Sequence, residues 1–89
     1  MVTGVNGMSA FECGNKICIL SFNLLISAPA GTSALITGLP KNADSSDTAA
    51  ICFLGGGVTT IKMSGTTLYL NYLNTASTGN IFGQIVYPI

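Results

Sequence analysis

Between Ile17 and Ile26 the chain alternates. Cys18, Leu20, Phe22, Leu24 and Ile26 form an unbroken apolar series, while Ile17, Ile19, Ser21, Asn23 and Leu25 form a mixed one. A period of two with one wholly apolar side predicts a strand packed on a core, its other side partly covered. Ala28-Pro29-Ala30-Gly31-Thr32 breaks that strand, and a short apolar run, Ala34 to Leu39, closes at Pro40 as a return strand. The rest of the chain repeats the theme. Met8 to Cys13 predicts a strand that turns at Gly14-Asn15 into the long central one.

Further strands are predicted at Ala49–Leu54, Val58–Met63, Thr67–Leu73 and Asn80–Tyr87, separated by turns and loops rich in Gly, Ser, Thr and Asn. On Thr67–Leu73, Tyr69 and Asn71 share the more exposed face, and Tyr72 joins Leu68 and Leu70 on the core face. Gly83 interrupts the last strand at a place where a neighbouring backbone or a bulge needs room. No window combines helical spacing with capping signals. Six or seven short strands of this kind predict one all-β domain, a sandwich or barrel.

Composition adds a constraint. The 89 residues are 48% apolar and only 7% charged, against about 25% charged in ordinary globular domains. So short a chain has little interior in which to hide that much apolar surface, which predicts an obligate oligomer. Three lysines (Lys16, Lys41, Lys62) balance three acids (Glu12, Asp44, Asp47). No basic patch is available for phosphates, so nucleic acid is not an expected partner. The longest apolar run is well short of the roughly 18 residues of a membrane-spanning helix, so no membrane insertion is expected. Met1 to Ala10 lacks the charged and apolar segments of a signal peptide. The odd cysteine count predicts free thiols from a reducing cytoplasm. A Cys13–Cys18 bridge remains an alternative if their turn is a four-residue loop, and Cys52 reads as a small buried hydrophobe. The chain ends directly on its last strand, which predicts that the parent protein ends there too.

The sequence contains no His, which excludes Ser-His-Asp and Cys-His nucleophilic arrangements and imidazole metal ligands. Asp44 and Asp47 sit in one polar loop rather than facing each other across a cleft, so paired-carboxylate hydrolysis is not expected. Two carboxylates without EF-hand spacing read as a solvated loop rather than a calcium site. Gly55-Gly56-Gly57 lacks the Lys and Ser/Thr of a phosphate loop and reads as a turn. No enzyme, cofactor or metal is expected.

Taken together, the Gly-Asn turn into a long alternating strand (Gly14 to Ile26), the strand closing in Leu39-Pro40, and TTLYLNYL at 66–73 form an ordered series. It continues with Gly79-Asn80-Ile81 and the terminal Gln84-Ile85-Val86-Tyr87-Pro88-Ile89. This series resembles the C-terminal head or tip domains of receptor-binding, tail-fibre and baseplate proteins from phages of Gram-positive bacteria. The resemblance implies a small antiparallel β-sandwich or jelly-roll of about six to eight strands. It also implies a homotrimer on the virion tail tip, contacts with other tail or baseplate proteins, and binding to a host cell-surface polysaccharide. Sugar-binding heads tend to use Trp, His or Arg, and this chain has none of them.

A saccharide is held by aromatic faces against the apolar side of a pyranose and by amides, carboxylates and hydroxyls around its rim. Tyr69 with Asn71 is the first candidate pair, and the flanking loops add Asn42, Asp44, Asp47 and Asn74. The alternative is a structural module that trimerises or caps a fibre or baseplate and binds no glycan, with a bacterial adhesin or pilin tip as a further alternative.

Overall fold

The computed structural model describes all residues, Met1–Ile89. It is all-β, with seven antiparallel strands: β1 (Val2–Cys13), β2 (Ile17–Ala28), β3 (Gly31–Ile36), β4 (Thr48–Leu54), β5 (Gly57–Ser64), β6 (Thr67–Leu73) and β7 (Ser77–Pro88). No helix is long and apolar enough to cross a membrane. The strands join in one sheet with the order β1-β2-β7-β4-β5-β6-β3. β2 and β6 stand four places apart, about 19 Å along a flat sheet at 4.8 Å per strand. Both nevertheless face a single core of 17 buried apolar residues, so the sheet curls onto itself.

The even residues of β2 from Cys18 to Ala28 all point into that core, matching the alternation in the sequence. β2 is flanked by β1 on one side and β7 on the other, so both its edges are occupied. The run after Pro29 therefore does not return along β2. It crosses to the far edge of the sheet and pairs with β6 as β3. The span from Gly31 to Ile36 replaces the expected 34–39, because Gly38 at φ 73° leaves the extended conformation and the Leu39 amide bonds to Thr66 O at 3.0 Å. β1 and β7 run longer than their apolar patterns, since each follows β2 along most of its length.

At the turn between β1 and β2, Gly14 and Asn15 both take positive φ, and Cys13 pairs with Ile17. Cys18 then lies opposite Glu12 rather than Cys13, and all three cysteines are free thiols, Cys13 exposed and the other two buried. Burial pushes the Cys52 thiol up from 9.0 to about 11. Burial first, and then the hydrogen bond and charge of Cys18, also raise the Tyr87 phenol; its hydroxyl donates to Pro40 O at 2.8 Å.

Tyr72 is not a core residue. Three steps on β6, from Leu70 to Leu73, oppose two on β3, from Ser33 to Gly31. That extra residue is a bulge and reverses the alternation. Leu73 turns inward and Tyr72 outward, 60% exposed.

The two halves of the sheet meet at a narrow seam. β4 pairs with β7 only at Phe53–Phe82 and Leu54–Ile81. Just beyond these pairs Cys52 lies over Gly83, and a Cβ built on Gly83 would stand 2.6 Å from the Cys52 Cβ. No ordinary side-chain motion relieves that contact, because both atoms are fixed to backbone.

Gly83→Ala is expected to lower stability by about 1–3 kcal/mol, the usual cost of overpacking a core, and a chemical-denaturation midpoint measures it. Only Cys13 is expected to react with a thiol reagent in the native protein at neutral pH, with Cys18 and Cys52 reacting after unfolding. Because the Cys52 pKa is raised on folding, its contribution is fully present below pH 9 and is lost as pH rises toward 11. Denaturation between pH 8 and 11 is expected to show that decline, and Cys52→Ala is expected to remove the part that begins near pH 9 while leaving the later part, from the raised Tyr87 phenol, above pH 10.

Candidate functional site

The expected binding residues lie at separate places. Asn42 is buried, at 4% exposure. Its Nδ2 donates to Met63 O at 2.8 Å and to Thr48 Oγ1 at 3.1 Å, and its Oδ1 accepts from the Asp44 amide at 2.9 Å. Such a side chain anchors the 37–47 loop to β5 and is out of a ligand's reach. Asp44 accepts from the Ser46 amide at 2.9 Å, which holds the turn leading to Asp47 at φ 63°. Asn74 is exposed in the β6–β7 loop at the other end of the sheet.

Tyr69 and Asn71 share the outer face of β6, as their spacing predicts. Lys62 Nζ stands 5.7 Å from the Tyr69 ring centroid and covers one ring face. Asn71 Nδ2 donates to Thr60 Oγ1 at 3.4 Å. Neither residue adjoins a concavity.

The one concavity lies elsewhere, on the outer face of β1, β2 and β7, with a volume of about 380 Å³. Two cross-strand rows form it. Ser9 and Ser21 are in register, and so are Gly7, Asn23 and Phe82; Gln84 continues the first row outside the concavity. Gly7, Ser9 and Ser21 are too small to fill the space above the backbone, and Asn23 and Phe82 rise as its walls. The second row continues across the seam, where Phe82 stacks on Phe53 with centroids 5.1 Å apart and planes 21° apart. Both rings are partly exposed, 38% and 53%.

Amides gather around Asn23, which stands beside Phe82 in the same row. Asn23 Oδ1 accepts from both Asn80 Nδ2 and Asn6 Nδ2, the latter at 3.3 Å, and Asn80 Nδ2 also donates to Leu24 O at 2.9 Å. These bonds orient Asn23 so that its own Nδ2 remains unpaired. Gln84 Nε2 donates to Ser21 Oγ at 3.4 Å. An apolar ring beside fixed amides and hydroxyls is the donor set that suits a sugar ring. The sequence did hold a signal for it: Ser21 and Asn23 are two polar residues inside the otherwise apolar run Ile17–Ile26. Phe82 joins them only through the β2–β7 register.

Asn42→Ala leaves the Met63 carbonyl and the Asp44 amide without their partner. A loss of about 1–3 kcal/mol is expected from such unpaired groups, seen as a lowered thermal midpoint. The chain matches no protein-family model, no curated protein and no solved structure in comparisons with known proteins.

Proposed function

We propose that this chain is a non-catalytic receptor-binding domain of a phage tail tip, recognising a host cell-surface saccharide as a homotrimer. The observation that carries the binding reading is the Phe82–Asn23 depression, where an aromatic pair, oriented amides and hydroxyls converge on one open concavity. The proposal extends to the architecture, and the narrow seam supports it. The β1-β2-β7 half and the β4-β5-β6-β3 half face each other across the core and act as the two layers of a small sandwich of the jelly-roll kind.

Self-association is supported by what stays bare. β1 pairs only with β2, so its other edge is open, and an open strand edge is a template for another chain. Val5 and Met8 sit on the core side of the sheet yet are 62% and 51% exposed, because the opposite half does not reach over them. A neighbouring copy packed on the core side of β1 buries both. The second reading, a structural trimerisation or assembly module, is favoured by the same bare strand and by Phe11 at 63% exposure; it assigns no ligand to the depression.

Light scattering at micromolar concentration is expected to give three times the 9.1 kDa chain mass. On an array of Gram-positive envelope glycans, Phe82→Ala is expected to reduce binding at least tenfold with the oligomer intact. A loss on Tyr69→Ala instead moves the site to β6. No glycan binding by the intact oligomer favours the structural module.

A further inference from the structure

We infer that the depression selects an uncharged glycan, built of neutral hexose or N-acetylhexosamine units, over an anionic one; this rests on the saccharide-binding reading. The inference comes from where the topology puts charge. β2 runs from the Gly14–Lys16 turn to Ala28, and the pairings place the 37–47 loop, the Gly65-Thr66 turn and Ile89 at the end where β2 begins. Ala43 N bonds to Pro88 O and Ile89 N to Lys16 O across that end. Glu12, Lys16, Lys41, Asp44 and Asp47 are all located there, and Lys62 is two residues from the same end of β5. The opposite end, with the turns at 29–30 and 55–56 and the loop at 74–76, carries no charged side chain.

The depression lies between these ends and outside the reach of the charges. Lys16 is five residues from Ser21 along β2, about 16 Å at 3.3 Å per residue. Glu12 pairs with Cys18 and so belongs to the core side of the sheet, away from the outer face. Lys62 is four residues and two strands from the Phe82–Phe53–Val58 row, again about 16 Å. These separations exceed the screening length of about 8 Å at physiological salt.

A phosphate or carboxylate entering the depression would lose hydration and meet no counter-charge. It would also meet the Ser9 and Ser21 hydroxyl oxygens and the Asn23 carbonyl oxygen, which repel an acceptor-only group unless hydroxyl protons turn toward it. A sugar hydroxyl both donates and accepts, so it can accept from Asn23 Nδ2 and donate to the serine oxygens. The ring face of the same sugar can rest on Phe82. A volume near 380 Å³ is at the small end of ligand pockets, about 300–1,000 Å³.

The test uses the full chain against immobilised neutral oligosaccharides of hexose and N-acetylhexosamine, beside polyglycerol phosphate and a uronic-acid polymer, at 20 and 500 mM NaCl. The expected result is binding to a neutral probe with less than a twofold change in Kd between the two salts. Ser9→Glu, at an exposed position of the edge strand, is expected to lower that affinity at least tenfold, and Lys62→Ala to leave it unchanged. Amide shifts at Gly7, Ser21 and Phe82 are expected to move on titration with the bound neutral sugar. Binding confined to the uronic-acid polymer, falling tenfold or more with salt, overturns the neutral-ligand inference and leaves the saccharide reading standing, whereas binding confined to polyglycerol phosphate, which has no sugar ring, overturns both. Binding to neither class by folded protein overturns both.

Discussion

The seam between β4 and β7 is the constraint on which the rest of the molecule depends. Two residue pairs join the halves of the sheet, and beside them Cys52 rests on a backbone position that has no Cβ. That absence lets β4 approach β7 closely enough for the sheet to bend there. The bend brings Ile61, Met63, Leu68 and Leu70 opposite Leu20, Leu24, Ile81 and Ile85 in one core. A wider crossing would leave each half with an apolar face and nothing to cover it, and apolar burial is the main favourable term in so small a domain.

The same seam organises the outer surface. Pairing Phe53 with Phe82 stacks two aromatic rings at the border of the depression, so a packing requirement on one face creates an aromatic wall on the other. Beside Phe82 in the same row, the amide of Asn23 is oriented by Asn80 and Asn6, the latter standing at a β1 bulge between Val5 and Gly7. Bulges on an open edge strand twist it and interrupt regular pairing. At β1 the bulge also delivers a polar side chain, Asn6, to Asn23.

Legibility followed the range of the interaction. The core side of β2 could be read residue by residue, as could the space requirement at Gly83 and the outward pair Tyr69 and Asn71. The alternation along β6 places Tyr72 inward, and the structure turns it outward because a bulge is set by how β3 meets β6, which no local alternation records. Asn42 was drawn toward the surface by its polar loop, yet its amide satisfies the Met63 carbonyl, a group 21 residues away. The depression was divided among three strands, and its members Ser9, Ser21, Asn23 and Phe82 look like unrelated outward positions until the register aligns them.

By itself the sequence determined strand propensity, the faces of the longest strand, the shortage of charge and the absence of an imidazole, because each of these is a property of neighbours along the chain or of composition. Only the tertiary structure decided the strand order, the crossing of β3 to the far edge, the exposure of Tyr72 and the place of the outer-face depression. Those depend on which backbone hydrogen bonds form between distant segments. Many pairings bury similar apolar area, and the choice among them rests on close contacts such as Cys52 over Gly83, which exist only once the strands have met.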